Sequence, residues 1–344
     1  MVTPMVKLLK QQQPDAVIDV VYMFDGVGYV YKNNPYVSKI YKLELFKQKK
    51  LKALWELRKV RKEKYDVSFM TLPAYRKEYH LVHFFAGAKK RVTHKFPTGR
   101  FSEFHILNTD LVWFDKKEHN VINNLNLLKA IGITWRQHLK RTAISYDFIL
   151  DKQDITFGTS YIKDLEWEGK KIVGIHPGST LSPAALLRRW PVKRYAEVIN
   201  FLIEKKKARV LIFAGPDEKD LGQELLSLLK YPKHCHVVEK VNFGQAIGVL
   251  SQIDLLICND NGFGHLAVGL NKKIITLWAS TNDTWSLPYN PSLVTLIRPD
   301  HFTPWYQYDL KTEIPIGKTS GMHKISVGRV INNLIIQWPM SNGK

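Results

Sequence analysis

The chain has 344 residues, of which 45 % are hydrophobic, and it contains two cysteines. This length favours two domains over one core, and the composition excludes a disordered chain. The longest apolar runs are too short to span a bilayer, and Lys7 and Lys10 interrupt the only early apolar stretch, so neither a transmembrane helix nor a signal peptide is predicted. Cys235 and Cys258 cannot form a disulfide framework, which favours a reduced, cytoplasmic protein without a zinc site.

The charge of the chain is strongly basic. Lys and Arg number 51 against 31 Asp and Glu, for a net charge of +20. Such a balance favours an anionic partner, whether nucleic acid, a phospholipid surface or a phosphorylated glycolipid. A lysine-rich surface that only keeps the protein soluble is the alternative.

The N-terminal half predicts an α/β arrangement. An amphipathic helix is expected at 5–12, strands at 17–22 and 67–70, and a basic helix at 48–64. That basic helix contains Leu54 and Trp55, so it has two interpretations: it lies on an anionic membrane, or it packs one face on the core.

The C-terminal half alternates strands and helices after a polar segment, 151–170, that we interpret as a hinge. The pattern predicts a doubly wound parallel sheet whose loops hold ligands beyond the carboxyl ends of the strands. The expected strands are 171–175, 210–214, 236–238, 254–258 and 273–278, with helices between them and a last helix at 326–336.

The first candidate site follows the fourth of these strands. Asp260 ends the strand, Gly262 makes a turn, and a helix opens directly afterwards. Exposed backbone N–H groups at a helix N-terminus bind phosphate, and glycine lets the backbone approach it. Asn261 and His265 belong to the same segment. Alternatively, Asp260 only caps the helix and His265 is a surface residue.

Two other loops are candidates for the same ligand. Hydroxyls from Ser179 to Ser182 and the guanidinium of Arg188 can bind phosphate oxygens; alternatively, this is a basic loop anchored by Trp190. Glu218 can accept both hydroxyls of a ribose, although helix capping by Asp217 explains the same pattern. The sequence contains no P-loop, GxGxxG or nucleophile elbow, and no metal or cofactor is predicted.

Four motifs in order resemble glycosyltransferase family 9, the heptosyltransferases of lipopolysaccharide core assembly. They match the family's first strand-loop, its basic-x-Trp-Pro element, its Gly-x-x-Glu element and its Asp-Ser/Thr-Gly-x-x-His signature. The matching segments are 174–179, 188–191, 215–218 and 260–267. Asn261 replaces the usual Ser or Thr, and Gly264 replaces a bulkier residue.

The resemblance implies a GT-B architecture: two Rossmann-like, doubly wound domains facing a cleft. It implies an N-terminal acceptor-side domain at 1–150, a hinge at 151–170, a nucleotide-sugar-binding domain at 171–320 and a C-terminal helix and tail at 321–344. By position, Ser179 and Arg188 would contact phosphate and Glu218 would hold ribose. Asn261 and Gly262 would donate backbone N–H groups to the diphosphate, beside Asp260 and His265.

The resemblance also implies an inverting, metal-independent transfer of a sugar, with a nucleotide-diphosphate sugar as donor and an anionic glycolipid at the inner membrane face as acceptor. ADP-heptose is the favoured donor, but ADP, GDP and UDP share the ribose that Glu218 would hold, so the base and the sugar stay open. The family's general base is an aspartate in a Gly-Asp turn that precedes a helix similar to residues 1–10. We therefore expect the first strand and this base to be encoded upstream of Met1, and we assign no catalytic residue. Asp25 follows another strand and is interpreted as a turn residue.

Three alternatives stay open at this point. A nucleotide-sugar-binding protein without the general base would carry the same donor motifs, as would an epimerase of the same architecture. A nucleic-acid-binding protein is favoured by charge alone, since no nucleic-acid motif accompanies it.

Overall fold

The computed structural model describes residues 1–43, 50–73, 77–96, 104–179, 186–215, 218–279, 281–301, 304 and 321–338. The chain divides into two compact units. The N-terminal unit comprises Met1–Ile149 with Thr284–Ser286, and the C-terminal unit comprises Leu150–Asp283 with Leu287–Lys344. Within the described residues, no helix combines the length and apolar character that crossing a bilayer requires.

The N-terminal unit alternates helices and strands, as predicted. Its elements are α1 (Thr3–Gln12), β1 (Asp19–Tyr22), α2 (Asp25–Lys32), β2 (Lys39–Lys42), α3 (Lys50–Lys62), β3 (Val67–Phe69), α4 (Lys77–Ala86), β4 (Lys90–Lys95), β5 (Asp110–Trp113) and α5 (Asn120–Asn126). All strand pairs are parallel, and they form one sheet of β1 and β2 and another in the order β3–β4–β5.

The C-terminal unit is a complete doubly wound layer structure. Its elements are α6 (Lys152–Asp164), β6 (Ile172–His176), α7 (Val192–Lys206), β7 (Arg209–Phe213), α8 (Lys219–Ser227), β8 (Cys235–Val238), α9 (Phe243–Leu250), β9 (Leu255–Asn259), α10 (Gly262–Gly269), β10 (Lys273–Leu277), β11 (Val294–Ile297) and α12 (Val327–Gln337). The sheet order is β11–β10–β9–β6–β7–β8, and every pair is parallel.

The sheet of the C-terminal unit is buried on both faces, which explains its nearly continuous apolar strands. Every residue of β9 is buried, and β6 is buried except for its last residue, His176. Helix α7 packs Tyr195, Ile199 and Leu202 into the same core. The strand β6 lies between β7 and β9, where the chain changes direction across the sheet. A crevice is expected at the carboxyl ends of strands at such a switch point.

The N-terminal unit repeats this order in two halves. In the C-terminal unit, β6 joins the pair β7–β8 to the triplet β9–β10–β11. In the N-terminal unit, the pair β1–β2 and the triplet β3–β4–β5 follow the chain in the same order as β7–β8 and β9–β10–β11 do. Within the described residues, however, no strand pairs with both this pair and this triplet, as β6 does in the C-terminal sheet. The parallel α/β character predicted for this half is confirmed, whereas a single continuous sheet is not observed.

The fold of the C-terminal unit contains two elements that the sequence did not reveal. Most of the segment interpreted as a hinge is helix α6, which packs on α9 so closely that a Cβ at Gly158 would lie 2.1 Å from the carbonyl oxygen of Gly248. Glycines, rather than a stripe of large apolar residues, make this contact, so no helical period was visible. The sixth strand, Val294–Ile297, was also missed because its four residues are too few to show a period.

Candidate functional site

The predicted site residues lie at the carboxyl ends of β6, β7 and β9, within the C-terminal unit. Asp260 and Asn261 follow β9 directly, and Ser179 follows β6. Glu218 follows β7 and precedes α8. The side-chain contacts described below connect these three loops, so the structure brings together residues that are up to 85 positions apart.

Glu218 is the buried carboxylate that links two of the loops. Its Oε2 accepts a hydrogen bond from the backbone N–H of Gly215 at 3.2 Å and lies 3.7 Å from Nε2 of His176. Its Oε1 lies 3.4 Å from Nη2 of Arg189. A Cβ at Gly178 would lie only 2.0 Å from Oε1, so the carboxylate occupies the space that a side chain would need.

Asn261 shapes the beginning of α10. As N-cap, its Oδ1 accepts hydrogen bonds from the N–H groups of Phe263 at 3.0 Å and Gly264 at 3.3 Å. Its Nδ2 donates to the carbonyl oxygen of Gly178 at 3.1 Å. The side chain of Asn261 therefore fastens the helix N-terminus to the loop after β6. Asn at this position performs the capping that the usual Ser or Thr of the resemblance would perform.

The two glycines of α10 have different surroundings. Outside the backbone of its own helix, a Cβ at Gly262 would meet no atom of the described residues within 4 Å, so the space at this Cβ position is open among them. A Cβ at Gly264 would lie 3.1 Å from Sγ of Cys258, so this glycine lets the helix pack closely on its strand. His265 follows in the first turn of α10 and is half-buried.

Asp260 is buried and forms an ion pair with Arg188. Nη1 of Arg188 lies 3.4 Å from Oδ2 of Asp260, and the hydroxyl of Thr281 donates to the same oxygen at 2.5 Å. Burial raises the pKa of Asp260, while Arg188 and Thr281 oppose the shift by stabilising the charged form. The two donors hold the carboxylate within the turn, so Asp260 orients Arg188 at the edge of the site.

His176 ends β6 between Glu218 and Asn261. Its ring stacks on Phe263 with centroids 4.8 Å apart, and its Nδ1 lies 2.9 Å from Nδ2 of Asn261. Burial lowers the pKa of His176, although the nearby Glu218 opposes this shift. A neutral ring can accept the Asn261 N–H at Nδ1, which agrees with the lowered pKa.

Sequence reasoning missed two residues that organise the site. Asn259, fully buried, accepts hydrogen bonds from the N–H of Trp190 at 3.1 Å and the hydroxyl of Tyr195 at 2.9 Å. Arg189 holds Ser179, donating to its Oγ at 3.2 Å and its carbonyl oxygen at 2.7 Å. A polar residue at the end of an otherwise apolar strand was the available signal for Asn259. Nothing in the sequence distinguishes Arg189 from its neighbour Arg188.

The remaining predictions concern Trp190, Asp25 and two residues outside the described ranges. Trp190 anchors its loop, as the alternative interpretation of that loop predicted. Its Nε1 donates to the carbonyl oxygen of Ile325 at 2.9 Å. Asp25 begins α2 rather than serving a turn, and it pairs with Lys42 at 2.7 Å on the surface of the N-terminal unit. Ser182 and Asp217 lie outside the described residues. Across the described ranges, no His, Cys, Asp and Glu side chains form a group of three that could hold a metal ion.

The architecture defines the class of GT-B fold proteins, and comparison with solved structures confirms this fold. A glycosyltransferase family 9 protein from Veillonella parvula DSM 2008 superposes with a TM-score of 0.76 at 16 % identity, covering 97 % of this chain and 92 % of that one. The E. coli ADP-heptose lps heptosyltransferase II superposes with a TM-score of 0.72 at 21 % identity, covering 97 % and 94 %.

Sequence comparison identifies the family. Residues 57–304 match glycosyltransferase family 9 (heptosyltransferase), and the chain belongs to this family. Lipooligosaccharide heptosyltransferase 2 of Haemophilus influenzae is 27 % identical over 132 residues, which are 38 % of this chain. The match spans 37 % of the length of that relative.

Proposed function

We propose that this chain is a glycosyltransferase that moves a sugar, heptose, from a nucleotide-diphosphate donor to lipopolysaccharide core or a related glycolipid. The observation that carries the proposal is the convergence of Arg188, Glu218 and the N-terminus of α10 in the C-terminal unit. A cation, a buried carboxylate and a helix N-terminus are the groups that a nucleoside diphosphate requires.

In this proposal the donor diphosphate lies in front of α10. The N–H groups of Phe263 and Gly264 are held by Asn261, so the backbone N–H groups of Asn261 and Gly262 are those that meet phosphate. The open space beside Gly262 accommodates the ligand. Arg188 and Ser179 contact phosphate oxygens, with His265 beside them, and Glu218 accepts the ribose hydroxyls.

The proposed reaction is a single displacement with inversion. An acceptor hydroxyl attacks the anomeric carbon, its oxygen forms the new glycosidic bond, and the bond to the diphosphate oxygen breaks with both electrons leaving on the nucleotide. Arg188 and the dipole of α10 stabilise the departing negative charge without a metal ion. The proton of the acceptor hydroxyl passes to a general base that we do not assign.

The proposed donor is ADP-heptose, and the proposed acceptor is an anionic glycolipid at the inner face of the cytoplasmic membrane. Support comes from the relatives, which are named as heptosyltransferases of lipooligosaccharide, and from the E. coli heptosyltransferase II, which is named for ADP-heptose. The net charge of +20 suits an anionic acceptor and peripheral contact with an anionic membrane. Nucleic acid is not part of the proposal.

Thermal unfolding with ADP, GDP and UDP tests the donor site. One diphosphate should raise the melting temperature increasingly with concentration. Arg188→Lys keeps the charge beside Asp260 but cannot donate two N–H groups to one phosphate as a guanidinium can. It should therefore lower the affinity for that nucleotide about tenfold. Arg329→Lys is the matched control, because Arg329 forms an ion pair with Asp300 at 2.7 Å on the surface of the same unit. Equal nucleotide affinity in Arg188→Lys and wild type would show that Arg188 does not bind the nucleotide.

A transfer assay with ADP-heptose and a heptose-deficient lipopolysaccharide acceptor tests the reaction. Glycosylated acceptor and released ADP in equal amounts are expected. Nucleotide binding without transfer would instead favour a nucleotide-sugar-binding protein, the alternative that the donor loops also allow.

A further inference from the structure

Helices α3 and α4 of the N-terminal unit expose large apolar side chains beside basic ones. The apolar members are Leu54, Trp55, Leu81, Phe84 and Phe85, and the basic members are Arg58, Arg61 and Lys62; we call these eight residues the aromatic–basic surface. Trp55 is 58 % exposed, Leu54 is 55 % exposed and Phe85 is 46 % exposed. Scattered apolar residues are ordinary on protein surfaces, but a cluster of this kind marks an interaction site.

The exposed apolar side chains lie on a different face of each helix from the side chains that are buried. Helix α3 buries a different stripe, in which Ala53 and Leu57 pack with Leu43, and Val60 is also buried. Leu54 and Trp55 therefore form a second apolar face. On α4, Leu81 and Phe85 lie one turn apart on the outside, while His80 and His83 point inward and are buried.

The two helices meet around a shallow hollow of about 400 Å³. It is lined by Leu54, Trp55, Leu57, Arg58, Arg61 and Phe85. Nη1 of Arg61 donates to the carbonyl oxygen of Phe85 at 3.4 Å, which ties α3 to α4 across the hollow. Apolar and basic members of the aromatic–basic surface thus line the same hollow.

The charge around the hollow is one-sided. Arg58, Arg61 and Lys62 are exposed. On α3 and directly after it, Glu56 pairs with Lys59 at 3.2 Å and Glu63 pairs with Lys39 at 2.8 Å; α4 carries one acidic residue, Glu78, in its first turn. Nζ of Lys59 also lies 3.5 Å from the ring centroid of Trp55. An aromatic face bordered by exposed Arg and Lys side chains complements an anionic surface.

We infer that the aromatic–basic surface docks the protein on an anionic lipid bilayer, with Leu54, Trp55 and Phe85 entering the headgroup region and Arg58 and Lys62 binding lipid phosphates. Aromatic rings prefer this boundary, and each Lys or Arg adds attraction to anionic headgroups. The inference rests on the proposed membrane setting but not on the donor site or the transfer reaction.

Co-sedimentation of the full chain with lipid vesicles tests the inference. Vesicles of phosphatidylcholine mixed with phosphatidylglycerol should bind the protein, and high salt should weaken binding. Trp55→Ser combined with Phe85→Ser, and separately Arg58→Glu combined with Lys62→Glu, should each reduce binding at least about tenfold. Vesicles of phosphatidylcholine alone should bind wild type much more weakly.

Matched controls lie on the C-terminal unit. Ile336→Ser removes another apolar side chain that is 72 % exposed on a helix. Lys205→Glu combined with Lys233→Glu reverses two exposed charges. Both controls should bind vesicles as wild type does. ADP-induced thermal stabilisation should persist in every variant, which shows that the fold and the donor site are intact.

Four results would overturn the inference. They are unchanged vesicle binding in the aromatic or the charge-reversal variant, equal binding to both kinds of vesicle, binding to an oligonucleotide but not to vesicles, and a dimer that the aromatic variant dissolves while vesicles stay unbound. Loss of ADP stabilisation in wild type would instead count against the proposed donor site and leave vesicle binding as a separate result.

Discussion

The carboxylate of Glu218 occupies the position that a side chain at residue 178 would take, since a Cβ there would lie 2.0 Å from Oε1. Gly178 also accepts the hydrogen bond from Asn261 through its carbonyl oxygen. Residue 178 therefore contacts both the carboxylate of the β7 loop and the cap of α10, and the first of these contacts requires glycine.

Gly178→Ala should disturb the site and the fold together. The added methyl must displace the buried carboxylate, so we expect the free energy of unfolding to fall by about 1 to 3 kcal/mol. Nucleotide-induced thermal stabilisation should fall as well, because Glu218 leaves its position. Urea unfolding and thermal shift measure the two effects, and unchanged values for both would show that Glu218 does not require Gly178.

Gly262→Ala should weaken nucleotide binding without destabilising the fold. The added methyl meets no atom of the described residues within 4 Å outside the backbone of its own helix, so the melting temperature without ligand should change little. The same methyl projects into the space proposed for the diphosphate, so ADP affinity should fall about tenfold or more. A calorimetric titration that found wild-type affinity would place the diphosphate elsewhere.

Asn259 should contribute more to stability than any predicted site residue. Asn259→Ala removes the acceptor for the Trp190 N–H and the Tyr195 hydroxyl, both buried, at a cost of about 2 to 4 kcal/mol. A double-mutant cycle checks the cause: Tyr195→Phe should cost about 1 kcal/mol in wild type and nearly nothing in Asn259→Ala. Additive costs would show that the two side chains are not coupled.

The buried His94 of β4 should make the N-terminal unit sensitive to acid. Burial lowers the pKa of His94 from 6.5 to about 4. Between these values the unfolded chain binds a proton that the folded chain does not, so the free energy of unfolding falls as the pH falls from 6.5 to about 4. The slope is up to about 1.4 kcal/mol per pH unit for such a group.

His94→Leu should reduce this pH dependence, because the ring packs among the apolar rings of Phe96 and Phe114 and leucine does not titrate. Urea unfolding at about pH 7.5 and about pH 5 measures the slope. His80, whose pKa burial also lowers to about 4, should retain its own contribution. An identical slope in wild type and His94→Leu would exclude His94 as its source.

The sequence predicted the C-terminal unit well because its strands are buried on both faces. Strands such as β9 are apolar throughout, and parallel order places their following loops at one edge. The prediction was weaker where two helices pack through glycines, as at Gly158 and Gly248, or where strands are short and partly exposed, as the unpredicted β2 and β5 are.

The detailed contacts of the site were also beyond the sequence. Motif order predicted Arg188, Glu218 and Asn261 as site residues. The different contacts of Arg188 and Arg189, however, depend on where each side chain reaches. Arg188 pairs with Asp260, whereas Arg189 holds Ser179 and Glu218. Adjacent residues of the same type can be distinguished only by their three-dimensional contacts.

The most direct test of the proposed donor site compares ADP with its 2′,3′-dideoxy analogue in wild type and in Glu218→Gln. Hydrogen bonds from ribose hydroxyls to a buried carboxylate should make wild type bind ADP about tenfold or more tightly than the analogue. Calorimetric titration of Glu218→Gln should find that this preference has largely disappeared, whatever the absolute affinities. An undiminished preference for ADP in Glu218→Gln would contradict the assignment of Glu218 to ribose and with it the proposed orientation of the donor.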